Sequence, residues 1–174
     1  MNIPKNKPLG RKIVVVGVSA SGKSTFSRKL SIKTNLPLVL MDSIMWTPGW
    51  NYIGDAETVK KLEDISAEEE WIIEGYIPKD ARTRIFERAD TIIHLDYRPL
   101  VSVIRYVKRW LRHRKDPRPE LEGSPEKFSF KFLKLVWTKG EDISLNKFLA
   151  RVTPQDKIIR FNSPRETKIF LNNI

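Results

Sequence analysis

The amino-acid sequence predicts an α/β domain, a parallel sheet covered by helices on both faces. Two observations lead there. Short β-branched apolar runs alternate with amphipathic stretches from residue 12 onward, the order that a parallel sheet with crossover helices requires. A glycine-rich turn also joins the first apolar run to the first amphipathic stretch. With 174 residues, 40% hydrophobic and 30% charged, the chain suits one compact domain with a full core.

The elements follow in order. Residues 1–11 are polar, carry Pro4 and Pro8, and read as a loose lead-in to a single domain over 12–174. Lys12-Ile13-Val14-Val15-Val16 is the first strand, and 23–34 the first helix, stopped by Asn35 and Pro37. Residues 38–41 form a second strand that ends at Asp42. The aromatic loop 43–52 follows, with Trp46, Pro48-Gly49, Trp50 and Tyr52. Its rings suit a wall on which a base or substrate stacks, and equally a plug that packs the loop onto the domain. Residues 55–66 read as a helix with Asp55 as its N-cap. The third strand, 70–75, closes on Glu74-Gly75. A short helix over 82–88 leads to the fourth strand, 91–96, which ends on Asp96. Residues 100–113 form a basic amphipathic helix. The stretch 128–137 fits both a period of two and a helix, and its place between a helix and a late strand favours helix. Residues 143–151 form another helix, 157–161 the fifth strand, and 164–171 the last helix, with Pro164 in its first turn.

The turn after the first strand carries the chemistry. Gly17, Val18, Ser19, Ala20, Ser21, Gly22, Lys23 and Ser24 fit G-x-x-x-x-G-K-[ST], the phosphate-binding loop. A strand before it and a helix after it are the context this motif needs. The glycines let the backbone bend so that its N–H groups converge on phosphate oxygens. The helix N-terminus adds partial positive charge there. Lys23 would reach the β- and γ-phosphates of ATP, and the Ser24 hydroxyl would bind Mg²⁺, with Thr25 next to it on the helix.

Three carboxylates fall at strand ends: Asp42, Glu74 and Asp96. In a parallel sheet those ends share the edge that carries the phosphate loop. Glu74 and Asp96 are candidates to help Ser24 hold Mg²⁺, and Asp42 to orient or deprotonate an acceptor hydroxyl. Ordinary turn and cap chemistry is the competing reading of all three. From Arg105 to Arg118 lie seven basic residues against one acid, Asp116. Such a run, over about 109–125, suits a lid that closes over a triphosphate, or simply a solvated basic face. His94 and His113 lack metal-ligand spacing and read as structural.

Composition narrows the field. The formal charge of +11 favours polyanionic partners: nucleotides, nucleic acid or acidic membrane surfaces. The absence of cysteine excludes disulfides and thiolate metal sites and makes the cytoplasm the default location. No apolar run is long enough to span a bilayer. A GTPase base-reading Asn-Lys-x-Asp fails at Asn146-Lys147, which is followed by Phe148 and Leu149. The Asp-Glu pair of ATPase motors fails at Asp96-Tyr97. A small kinase acting on a small acceptor remains. A nucleotide-binding regulatory protein that contacts DNA or RNA through its basic surface is the rival reading.

The chain resembles the adenylate-kinase-related P-loop proteins of the DNA topology modulation family. The resemblance rests on the 17–24 loop, then Met41-Asp42 with Trp46-Thr47-Pro48-Gly49-Trp50, then Trp71-Ile72-Ile73-Glu74-Gly75-Tyr76. It continues through 88–96 and Arg109-Trp110-Leu111-Arg112, and spans nearly everything after the lead-in. It implies an adenylate-kinase-like fold with sheet order 2-3-1-4-5, and ATP with Mg²⁺ at the loop. It also implies lid positions for Arg109, Arg112 and Arg114, and an adenine-holding turn at Asn162, Ser163 and Pro164. One departure is Glu74-Gly75, where nucleoside monophosphate kinases commonly carry Asp-Gly.

Overall fold

The computed structural model describes residues 9–152 and 154–174, without the side chains of 141 and 152. Five strands form one parallel sheet: β1 (Lys12–Gly17), β2 (Leu38–Leu40), β5 (Trp71–Glu74), β6 (Thr91–Leu95) and β7 (Ile158–Phe161). Their order is β2-β5-β1-β6-β7, the predicted 2-3-1-4-5 when only the sheet strands are counted. The first strand lies at the centre because its Ile13–Val16 run is apolar toward both faces and its four residues are buried.

Side chains alternate across the sheet and separate two cores. Val14, Val16, Ile73 and Ile92 point to one face, where α3 (Asp55–Ala67), α4 (Lys79–Arg88) and α7 (Gly140–Val152) cover them. Ile13, Val15, Ile72, Ile93 and Leu95 point to the other, under α1 (Lys23–Thr34) and α8 (Pro164–Asn172). The remaining helices are α2 (Met41–Met45), α5 (Pro99–His113) and α6 (Phe130–Thr138), which packs on α5.

Several boundaries shift for physical reasons. The second strand stops at Leu40 because α2 starts at Met41, so Asp42 opens a helical turn. The aromatic loop contains a small antiparallel hairpin, β3 (Trp46–Thr47) against β4 (Asn51–Tyr52). Gly54 caps α3 in place of Asp55, whose carboxylate instead accepts the Tyr52 hydroxyl. The stretch with two periods is helix α6, capped by the Ser129 hydroxyl, which accepts from Phe132 N–H. The end of the lead-in is tied down: Asp90 accepts the Arg11 and Lys12 amides at 3.0 and 2.9 Å. Residues 1–8, the rest of the lead-in, lie outside the described residues. Among the described residues no helix is long and apolar enough to cross a membrane.

Candidate active site

The phosphate loop sits where β1 delivers it, at the carboxyl edge of the sheet. Gly17 pairs with Leu95 at φ 142°, and a Cβ there would lie 2.6 Å from the Leu95 carbonyl oxygen, so no side chain fits. Ala20 takes the left-handed conformation at φ 61°. Lys23 Nζ donates to the Gly17 and Val18 carbonyls at 2.9 and 3.1 Å, which folds the lysine over the loop. Arg105 of α5 donates to the Ser21 carbonyl, and its guanidinium lies 5.5 Å from the Tyr97 ring centre.

A cleft of about 1080 Å³ opens over this loop, room for a nucleotide and a second small molecule. Ser19, Ala20, Gly22, Lys23, Ser24 and Thr25 line it, as do Asp42 and Glu74 from across the sheet edge, and Arg109 and Arg112 from α5. Val18 and Ser21 lie beneath, fully buried. Glu74 is 5% exposed. Burial holds its carboxyl above the ordinary carboxylate range; Lys23 opposes that, Asp42 reinforces it, and a hydrogen bond with Ser24 opposes it. Ser24 and Glu74 therefore meet, an oxygen pair suited to Mg²⁺.

Asp96 stands elsewhere. Glu74 shares the sheet face of Ile72, toward α1, whereas Asp96 continues the alternation of Ile92 and His94 toward α7. It is not among the cleft-lining residues, and it is ion-paired to Lys139 and, at 3.8 Å, to Arg160. His94, fully buried, meets Asp142 at 3.0 Å. His94, Asp96 and Asp142 come within metal-binding range of one another. The Lys139 ammonium, at Asp96 and 3.5 Å from Asp142, already supplies the cation between the carboxylates.

The lid positions divide. Arg114 stacks over Trp110 at 5.6 Å and is not among the cleft-lining residues. Arg109 lines the cleft and pairs with Glu126 at 3.1 Å. Burial lowers its pKa, and Glu126 opposes that. Arg118, which closes the basic run, is the hub: it reaches Glu126 at 3.0 Å, Asp42 at 3.2 Å and Glu120 at 3.3 Å. Arg28 of α1 holds Glu120 from the other side at 3.0 Å. Sequence reasoning placed neither Glu120 nor Glu126 in the site. The only sequence signal for them is their place directly after the basic run.

The hairpin explains how the 114–129 segment is held. Gly49 and Trp50 amides donate to Ser124 Oγ at 3.0 and 3.2 Å, and Trp50 Nε1 to the Pro125 carbonyl at 2.8 Å. Trp46 packs edge-on against Trp50, with ring centres 5.6 Å apart. None of Trp46, Trp50 and Tyr52 lines the cleft, so these rings pack the structure together. At the far end of the cleft, Pro164, Thr167 and Lys168 of α8 form the wall. Ser163 caps α8, accepting from Glu166 N–H at 3.4 Å, and Glu166 accepts back from Asn162 N–H at 2.8 Å. Asn162 and Ser163 are thus engaged in the cap, and Pro164 alone of that turn is among the cleft-lining residues.

The fold and loop together define the class, a P-loop kinase-like α/β fold. No family model and no curated protein matches the sequence. Solved structures do. A gluconokinase from Sinorhizobium meliloti superposes with a TM-score of 0.57 at 15% identity, covering 96% of this chain and 90% of that one. A shikimate kinase from Bacteroides thetaiotaomicron gives 0.53 at 18%, covering 92% and 93%. A candidate kinase from Chloroflexus aurantiacus gives 0.55 at 18%, covering 95% and 96%. At these identities the likeness is one of fold, and it stops short of the DNA topology modulation family that the residues resemble.

Proposed function

We propose that this protein is a small-molecule kinase that transfers the γ-phosphoryl group of Mg-ATP to a hydroxyl of a small acceptor. The observation that carries it is that one cleft is lined both by the phosphate loop with Lys23 and by Asp42. The loop amides and Lys23 bind the triphosphate, and Lys23 exchanges its two carbonyl partners for phosphate oxygens. Ser24, with Glu74 beside it, would hold Mg²⁺, which neutralises phosphate charge. Arg105, Arg109 and Arg112 line the same cleft and would stabilise the charge that builds on the transferring group. Asp42 receives the acceptor hydroxyl. Resemblance to adenylate-kinase-related proteins and likeness to solved kinases support the same reading.

The test is ADP release from Mg-ATP across nucleosides, nucleoside monophosphates and hydroxylated metabolites. One acceptor raises turnover well above the water background, and Lys23→Ala lowers it by roughly 10²–10³-fold. A flat panel with ATP still bound sinks the kinase reading.

One observation favours a regulatory protein that contacts nucleic acid. Between α4 and α7 lies a concavity of about 460 Å³ lined by Lys79, Arg82, Lys147 and Arg151, with no carboxylate among the described residues of its lining.

A further inference from the structure

The outer sides of α5 and α6 are apolar, cationic and exposed. Leu100, Ile104, Val107 and Leu111 recur at i, i+4, i+7 and i+11, which places them on one face of α5. Leu100, Ile104 and Leu111 are 57%, 46% and 50% exposed. The other side of that helix is the one that packs: Ser102 and Tyr106 are buried, and Arg109 is held by Glu126. The arrangement repeats in α6. Phe132 meets Tyr106 with ring centres 4.9 Å apart and Val136 is buried, whereas Phe130 and Trp137, at i and i+7, are 79% and 57% exposed. A row of rings joins the two helices: Phe130 lies 5.0 Å from Phe128, and Phe128 lies 5.1 Å from Trp110 of α5. None of Leu100, Ile104, Leu111, Phe130 and Trp137 lines the cleft.

Charge is one-sided on this surface. Neither helix carries a carboxylate. Lys108 and Arg112 flank the stripe on α5, and Lys131 and Lys134 stand on α6. None of these four is ion-paired among the described residues. The acids of 99–138 are Asp116, Glu120, Glu122 and Glu126, all on the connecting segment, and Glu120 and Glu126 are already held by arginines.

The occupant must therefore accept aliphatic and aromatic side chains and supply negative charge beside them. A second copy meeting this face with its own would oppose unpaired cations and bring no carboxylate from either helix. A nucleic-acid backbone would answer the cations and leave Leu100, Ile104 and Leu111 without a partner. The surface of an anionic bilayer answers both: apolar side chains enter the headgroup–acyl boundary while lysine and arginine stems extend to lipid phosphates. We propose that α5 and α6 form a peripheral docking face for anionic lipid bilayers, with Leu111, Phe130 and Trp137 entering the interface and Lys108, Lys131 and Lys134 contacting headgroups. This inference goes beyond the kinase reading and does not depend on it.

The experiment is sedimentation of the full chain with vesicles of phosphatidylcholine, alone or with about one-third phosphatidylglycerol. Partitioning to the anionic vesicles should be at least about tenfold stronger. Brominated acyl chains should quench tryptophan emission there, and Trp137→Phe should reduce the quenching. Leu111→Ser with Phe130→Ser keeps every charge and alters only exposed side chains; it should lower partitioning about tenfold. Lys131→Gln with Lys134→Gln keeps the apolar side chains and should lower it by a similar factor. Equal partitioning of the parent and the Leu111/Phe130 variant, or binding without quenching, would mean bare adsorption of a cationic protein and overturns the inference. Equal binding to both vesicle types overturns it as well. Self-association abolished by the Leu111/Phe130 pair, without vesicle binding, gives the face to a second copy and overturns it too.

Discussion

Glu74 shows how one residue serves two ends at once. The sequence gives it a strand-end position. The fold buries it between Lys23, Ser24 and Asp42, and burial raises its pKa above the ordinary 4.5. A carboxyl whose folded pKa is raised binds its proton more tightly when folded, so its contribution is full below 4.5. That contribution is lost as pH rises from there through the raised value. Glu74→Gln should remove that slope and add about 1 kcal/mol of stability at pH 7. The same change should weaken Mg-dependent nucleotide binding. Denaturant titrations of the metal-free protein between pH 4 and 8 check the first part, and a variant that keeps the parent slope refutes it.

At the scale of elements, the hairpin and the segment after α5 form one clamp. Ser124 accepts two amides of the hairpin, Trp50 donates back to Pro125, and Arg118 ties the same segment to Asp42 at the start of α2. The clamp sets where Arg118 and Glu126 stand, and with them the ion pair to Asp42. Ser124→Ala removes the shared acceptor, at a cost of about 1 kcal/mol. Amide exchange over 114–129 should then quicken about fivefold, with the phosphate loop unchanged. Equal exchange in variant and parent would mean that the hairpin does not hold the segment. The aromatic stretch was legible as a feature of the chain. Its role was not, because the amides and Ser124 that meet are about 75 residues apart in sequence. The helix over 128–137 was settled by chain order, and its cap, Ser129, confirms the local logic.

For the whole molecule, the net charge of +11 is unevenly placed. Within the cleft, carboxylates pair with Arg28, Arg109 and Arg118, whereas the α4–α7 concavity has none among the described residues of its lining. Long-range attraction of polyanions by such a surface is screened within about 8–10 Å at physiological salt. Binding of a single-stranded oligonucleotide should therefore weaken by roughly tenfold or more between 50 and 200 mM chloride. Turnover on a small uncharged acceptor should change less than twofold over the same range. Oligonucleotide binding indifferent to salt would show that the charged surface is not what attracts it.

Except for α2 and the β3–β4 hairpin, which it did not show, the sequence by itself determined the α/β class, the phosphate loop between β1 and α1, and the chain order of the five sheet strands and the longer helices. These depend on local rules: apolar periodicity, turn chemistry and a motif whose residues are contiguous. Family resemblance added the strand order. Tertiary structure alone decided which strand-end carboxylates share the cleft. Asp42 and Glu74 do, while Asp96 turns to the opposite sheet face and is ion-paired to Lys139. It likewise picked Arg118 over Arg114 as the hub, and brought Glu120 and Glu126 to it. The reason is physical. A residue's type and the end of its strand are written locally, but the face it takes and the partner it meets depend on packing between segments far apart in the chain.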